Sequence, residues 1–336
     1  MNRAPAIVSP LATVPPGATR AVLEASARTL RDGAPATLAV VLETDGSTYV
    51  GPGALALFEA DGAQTGWLSG GCLEPEIAQR AEQAARLMRI EWMEVDTRGD
   101  EDLLAGSALG CRGRLRIALL PLAALDGWPV QVDAWCEGNA PLRIAVEADG
   151  AIAVSTSTTA LAQRLPADAV PWAPAQARWT IDVAPPPSIL VLGAGPESTV
   201  LLPLLRALGA VTTLAERRPR WRDAGVFADR ALDLTPTQAL REDTRRHDIA
   251  LVMHHHFELD REALEALASS PIAFIGLLGP TRRRDDLFRV LPASARESLL
   301  PRLHSPVGLH LGGRGPEAIA LSIAAQLQRH LHGASA

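Results

Sequence analysis

The chain has 336 residues, 47% of them hydrophobic, and a formal net charge of −6. That length allows two domains of ordinary size with real cores, and the acidic balance argues against nucleic acid, whose phosphates need a basic surface. All 32 Lys+Arg positions are arginine, which excludes a Walker-A phosphate lysine and a pyridoxal Schiff-base lysine.

The N-terminal stretch carries Pro5, Pro10, Pro15 and Pro16. It has no charged start followed by an apolar run, so it does not read as a signal peptide. No apolar run is long enough to span a bilayer, and stable membrane insertion is not expected. The cysteines, Cys72, Cys111 and Cys136, are odd in number and lack framework spacing. They fit a reducing compartment, and the expected location is cytoplasmic.

In chain order, Ala18 to Leu30 reads as a helix ending before Gly33, and Thr37 to Leu42 as a buried strand. Turn residues Asp45-Gly46-Ser47 and Gly51-Pro52-Gly53 lead to a second strand, Ala54 to Phe58. After Trp67-Leu68 comes the loop Ser69-Gly70-Gly71-Cys72, then a helix from Glu74 to Met88 with Ile77, Ala81, Ala84 and Met88 on one face. Arg114 to Leu120 is another strand. Residues 126–184 hold short β-like pieces, Leu142 to Val146 and Ala151 to Val154, and read as a β-rich connecting region. Pro185-Pro186-Pro187 is the clearest boundary. Beyond it strands at Ile189 to Leu192, Val211 to Leu214, Ile249 to Met253 and Ala273 to Leu278 alternate with helices at Thr199 to Leu208, Asp260 to Ala268, Arg282 to Val290 and Pro316 to His330. The predicted fold is α/β: an N-terminal α+β domain over 15–125, the connecting region, and a Rossmann-like doubly wound parallel sheet over 188–332.

The C-terminal half carries Gly193-Ala194-Gly195 between a strand and a helix, the context in which such a turn meets a pyrophosphate. Ser198 stands where a third small residue is usual. Glu216 closes the next strand, at the place where an acid usually holds a ribose, and Arg217 and Arg218 after it could instead meet a phosphate. A nucleotide or a pterin phosphate would fit this pattern; the alternative is a Rossmann domain that binds no dinucleotide.

Cys72 sits between bare glycine backbone and a helix start, where a thiol gains thiolate character. Cys111, in Leu109-Gly110-Cys111-Arg112-Gly113, is a second cysteine in a glycine-rich turn. The alternative is two buried cysteines acting as small hydrophobes, the reading given to Cys136. No matched C-x2-C pairs point to zinc. His254-His255-His256 ends a strand, where open α/β sheets bind ligands. Consecutive strand residues face opposite sides, so the pattern favours one functional histidine, or a structural one, over a metal cluster. Arg282-Arg283-Arg284 reads as a solvated face and, less simply, as an anion site. Gly312-Gly313-Arg314-Gly315-Pro316 is a glycine-rich start to the last helix.

Taken together these motifs resemble the XdhC/CoxI family, the accessory factors of xanthine and carbon monoxide dehydrogenases. In the N-terminal half the resemblance rests on Gly46-Ser47, Pro52-Gly53, Ser69-Gly70-Gly71-Cys72-Leu73-Glu74 and Gly110-Cys111. In the C-terminal half it rests on Gly193-Ala194-Gly195, Met253 to Asp260 with His255 in the family's histidine position, Ile275-Gly276 to Gly279, and Pro306-Val307-Gly308-Leu309 to Ser322-Ile323-Ala324. It implies a chaperone of xanthine dehydrogenase maturation more than a turnover enzyme. Such a protein binds molybdenum cofactor (molybdopterin) and delivers its sulfurated form to a molybdenum hydroxylase apoenzyme. Cys72 and Cys111 would be its ligands to the metal or a sulfur relay, assisted by His255. Ser69, Gly70, Gly71, Gly193, Gly195, Glu216, Gly312 and Gly313 would hold the rest of the cofactor or a dinucleotide. Without lysine, the chain needs a separate cysteine desulfurase as sulfur donor. A homodimer is expected from size alone. Departures from the family pattern fall at Thr48-Tyr49-Val50-Gly51, at Arg112 and at Pro280. Two other readings stay open: an NAD(P)-dependent oxidoreductase using the glycine turn, Glu216 and His255, and a non-catalytic scaffold for dehydrogenase assembly.

Overall fold

The computed structural model describes residues 18–98, 113–172 and 176–333. The chain divides after Pro185 into two compact units. In the first, α1 (Thr19–Arg31) precedes β1 (Ala36–Gly46), β2 (Leu55–Glu59) and β3 (Gln64–Thr65). After these come α2 (Glu74–Leu87), β4 (Glu91–Asp96) and β5 (Gly113–Pro121). The five strands form one antiparallel sheet in the order β3-β2-β1-β5-β4.

The apolar run of β1 sends alternate side chains to opposite faces. Leu38, Val40 and Leu42 join one core with Val22 and Leu23 of α1. Ala39 and Val41 join a second core with Ile77, Ala81 and Ala84 of α2. A continuous apolar strand therefore has both faces covered, one helix to each.

Residues 126–184 are built into the first of these cores. The helix α3 (Trp128–Glu137) is followed by β6 (Leu142–Glu147), β7 (Ala151–Ser155), β8 (Ala160–Arg164) and β9 (Arg178–Val183), an antiparallel sheet in the order β8-β7-β6-β9. Trp128, Trp135, Ile144, Val146 and Trp179 pack with α1 and β1. The strict alternation of buried and exposed positions along β9 shows one face on this core and one in solvent. The region expected as a connection is thus a sheet and helix sharing a core with the sheet before it.

The second unit alternates strands and helices. Its elements are β10 (Ser188–Leu192), α4 (Ser198–Ala207), β11 (Val211–Ala215), β12 (Arg230–Leu232), α5 (Pro236–Glu242), β13 (Ile249–Val252), α6 (Phe257–Ala268), β14 (Phe274–Leu277), α7 (Thr281–Val290), α8 (Ala293–Leu299), β15 (Leu303–His304) and α9 (Pro316–His332). The six strands are parallel, in the order β12-β11-β10-β13-β14-β15. Ile189 and Val191 face one core with α4 and α9; Leu190 and Leu192 face the other with α6 and α7. Chain order runs outward from β10 in both directions. The switch point therefore lies between β10 and β13, where such sheets open a crevice at the strand ends.

No helix among the described residues is long and apolar enough to cross a membrane.

Candidate functional site

The loop Ser69–Cys72 connects β3 to α2, and its shape is set by the first residue of that helix. The Glu74 carboxylate turns back and accepts hydrogen bonds from the backbone N–H of Ser69 at 2.8 Å and of Leu68 at 3.2 Å, and from the Ser69 hydroxyl. The Ser69 oxygen in turn accepts from the N–H groups of Gly71 at 3.2 Å and Leu73 at 3.1 Å. Gly71 has φ +103°, a conformation that L side chains rarely adopt, so glycine is required there. Ser69 and Glu74 are both buried. Burial raises the Glu74 carboxyl, but hydrogen bonds from the Ser69 side chain and from backbone N–H groups outweigh it and hold the group below the ordinary carboxylate range. The loop's polar groups are turned inward, while Cys72 is left exposed, with its Sγ 3.5 Å from the Ser69 hydroxyl. Cys111 and Arg112 lie outside the described residues.

In the second unit the turn after β10 is drawn tight against the chain's own groups. The N–H of Gly193 donates to the Ala215 carbonyl at 3.0 Å, that of Ala194 to the Glu216 carboxylate at 2.9 Å, and that of Gly195 to the Ser198 hydroxyl at 3.0 Å. Gly193 has φ +88°, and a Cβ there would lie 2.5 Å from Cδ2 of the His254 ring. A Cβ on Gly195 would lie 2.6 Å from a Glu197 carboxylate oxygen and 2.8 Å from His255 Nε2. Both glycines thus make room for side chains of this unit.

Glu216 is buried and bonded on both oxygens. Besides the Ala194 N–H, it accepts from the Arg218 guanidinium at 2.5 Å and from the Arg218 N–H at 2.7 Å. Burial raises its carboxyl, and the Arg218 and backbone bonds more than reverse this, so it ionises below the ordinary range. The same guanidinium donates to the carbonyls of Ala194 and His254, tying the β10 and β13 loops together.

The three consecutive histidines have three different fates. His254 is buried, its N–H and Nδ1 both on Asp260, which also pairs with Arg283 at 2.5 Å. His255 has φ +55°, a strained conformation for a residue with a Cβ. Its Nε2 lies 2.9 Å from the Glu197 carboxylate, and the ring is 48% exposed. The Glu197 bond pushes its pKa up against the opposing effect of burial. His256 precedes α6 at its cap position and is exposed. Among the described residues no group of three or more His, Cys, Asp or Glu is placed to hold a bare metal ion.

His255 and Glu197 border an open pocket of about 480 Å³, together with Arg218, Arg220, Trp221 and the Gly315-Pro316 start of α9. Gly312 and Gly313, both at positive φ and exposed, lead into that helix. The structure brings Gly193, Gly195, Glu216 and His255 together. It also shows Glu197, Arg218 and Asp260 as the groups that position them; sequence reasoning had not singled out Glu197 or Asp260, and had offered Arg218 to a phosphate where the structure pairs it with Glu216. A hint lay in the spacing, since Glu197 follows the turn directly and Arg218 stands two residues after Glu216. The arginine run divides: Arg283 is drawn onto Asp260, whereas Arg282 is 92% exposed.

A two-unit chain, with a clamped cysteine loop in the first unit and a Rossmann sheet in the second, is the class that these observations define. Comparison with known families agrees: residues 189–327 match the XdhC Rossmann domain and residues 29–91 match the XdhC and CoxI family, and the chain belongs to that family. It is 27% identical over 315 residues to a Bacillus subtilis protein described as a probable subunit of xanthine dehydrogenase, covering 89% of this chain and 94% of that one. A 70-residue stretch, 20% of this chain and 13% of the other, is 41% identical to an uncharacterised protein, YqeB, of Escherichia coli. The crystal structure of a xanthine dehydrogenase from Bacillus halodurans superposes with a TM-score of 0.75 at 26% identity, covering 94% of this chain and 97% of that one.

Proposed function

We propose that this chain is an accessory factor for a xanthine-dehydrogenase-type molybdenum hydroxylase, and that it carries molybdenum cofactor to the apoenzyme. Its similarity to a protein described as part of a xanthine dehydrogenase supports the partner. The observation that carries the reading is the Cys72 loop. An exposed thiol is presented on a backbone locked by the Ser69–Glu74 clamp, with the Ser69 hydroxyl 3.5 Å from its sulfur. A thiolate is a soft ligand suited to molybdenum or to a sulfur atom. The cofactor supplies its own sulfur chelate to the metal, so one protein thiolate suffices and no multidentate protein site is needed.

In this reading Cys72 binds the cargo, and Glu74 and Ser69 hold the thiol in place without touching the cargo. Cys111 is its helper. The absence of lysine means that a separate cysteine desulfurase supplies the sulfur. The test is transfer. Cofactor-loaded protein is mixed with cofactor-free xanthine dehydrogenase, and the appearance of activity is followed for wild type and for Cys72→Ser. Wild type activates the apoenzyme and Cys72→Ser does not; equal activation by both removes the cysteine from the function.

A further inference from the structure

We propose that the glycine turn of the Rossmann unit is closed to the pyrophosphate of a dinucleotide, and that the adjoining pocket, built on His255, Glu197 and Arg220, binds a phosphate monoester of a small organic molecule. The site is argued from the Rossmann unit alone and does not depend on Cys72; the pterin phosphate of the proposed cargo belongs to the same ligand class.

The first half follows from the hydrogen bonds of the turn. A pyrophosphate docks on free backbone N–H groups beside a glycine without a Cβ. Here the N–H groups of Gly193, Ala194 and Gly195 are each bonded within the protein, and Pro196 has none. The space beside Gly195 holds the Glu197 carboxylate. A second carboxylate, Glu216, sits on the Ala194 N–H. An incoming dianion would have to displace Glu216 from the Ala194 N–H and the Glu197 carboxylate from the space beside Gly195, and Gly193, Ala194 and Gly195 are themselves buried.

The second half follows from the charges left facing the pocket. Glu216 is paired with Arg218, and Glu197 with His255, so neither carboxylate faces the pocket uncompensated. Arg220 has no carboxylate partner among the described residues. Its guanidinium stacks over the Trp221 ring at 5.1 Å, which leaves its in-plane N–H groups free for an oxyanion. His255 is held at positive φ by neighbours that are themselves fixed. The residue before it, His254, donates its N–H to Asp260 and accepts from Arg218 at its carbonyl, and the Nε2 of His255 is bonded to Glu197. A strained, anchored imidazole beside an unpaired arginine matches a doubly charged phosphoryl group. Pro316 and Ile319, with the Trp221 ring, line the remainder with apolar surface that inorganic phosphate would not use.

The charged groups around His255 are Glu197 before α4, Asp260 on α6, Arg283 on α7, and Arg218 and Arg220 of the pocket wall. Glu317 lies beside Gly315 at the start of α9. The Glu197 bond, opposed by burial, leaves the imidazole charged to higher pH than a free one. Its attraction for an anion is therefore full below the ordinary histidine value and is lost as pH rises through the raised one.

The experiment is calorimetric titration of the full chain with phenyl phosphate, inorganic phosphate and NAD, at pH 6.5 and 8.5. Wild type binds phenyl phosphate several-fold more tightly than inorganic phosphate and does not bind NAD. Its affinity falls at pH 8.5, although the ligand's own second ionisation, near pH 6, would by itself raise it. His255→Gln loses roughly ten-fold at pH 6.5 and shows no fall with pH, whereas the exposed Arg220→Gln loses roughly ten-fold at both. Cys72→Ser binds like wild type. Absence of phenyl phosphate binding at millimolar concentration, equal affinity for inorganic phosphate, wild-type affinity in both His255→Gln and Arg220→Gln, or NAD binding would each overturn the proposal.

Discussion

Replacing Glu74 by alanine strips the cysteine loop of the group that shapes it. The carboxylate accepts from the N–H groups of Leu68 and Ser69 and from the Ser69 hydroxyl, in a region where Leu68 and Ser69 are 0% and 4% exposed. The hydroxyl can turn to another acceptor, but the two amides cannot. A buried donor left unpaired costs about 1–3 kcal/mol, so with partial relaxation of the loop the N-terminal unit loses about 3 kcal/mol. Glu74→Gln keeps an acceptor oxygen for the amides and loses about 1 kcal/mol, the worth of a charge-assisted bond reduced to a neutral one. Urea unfolding followed by tryptophan fluorescence reads this unit, because six of the seven tryptophans (Trp67, Trp92, Trp128, Trp135, Trp172 and Trp179) precede Pro185. Alkylation of Cys72 under native conditions reads the loop directly and should change in rate with alanine more than with glutamine. A Glu74→Ala protein with the wild-type unfolding midpoint and the wild-type alkylation rate would refute the clamp.

Three further outcomes follow. Gly193→Ala forces a Cβ to within 2.5 Å of the His254 ring at φ +88°. Left-handed backbone and overpacking together should cost about 3 kcal/mol, visible as faster hydrogen exchange in peptides from β10 and β13; unchanged exchange would contradict the packing described. Glu216 ionises below the ordinary range through Arg218, so its contribution is present above the unfolded carboxylate value and is lost as pH falls through the lowered one. The C-terminal unit should therefore lose stability on acidification, and Glu216→Gln should flatten that dependence in urea titrations followed by circular dichroism; an identical slope would remove the pair as its cause. Cys72→Ser, at an exposed position, should shift stability by no more than about 0.5 kcal/mol while abolishing the readily alkylated thiol; a larger loss would make Cys72 a packing residue.

Much of this architecture is legible in the residue pattern. The runs around β1, β10 and β13 are apolar at successive positions, which marks strands covered on both faces, and Gly193 and the proline triplet punctuate them. The sequence reading missed β9, although Arg178 to Val183 alternates polar and apolar residues as a half-buried strand does, and it missed α3, a ten-residue helix with tryptophans on it that leaves only a weak periodic signal. It also misjudged the context of residues 126–184. Their apolar positions are shared among short pieces whose common core exists only once α1 and β1 are in place. At the site, the glycines were readable as glycines, but what fills the space beside them was not. Contacts such as Glu197 with His255, 58 residues apart, are properties of the assembled sheet. Glu74 stood within the recognised Ser-Gly-Gly-Cys-x-Glu string, and only the structure supplies its reason: the carboxylate is the acceptor for the loop it follows.

The central claim is that Cys72 holds molybdenum cofactor. Its most direct test is the molybdenum and pterin content, per chain, of protein purified without oxygen from cells that make the cofactor, compared between wild type and Cys72→Ser. The account predicts cofactor on the wild type, with matched metal and pterin, and its loss from the serine variant. Equal content in the two proteins, or none in the wild type, would contradict it.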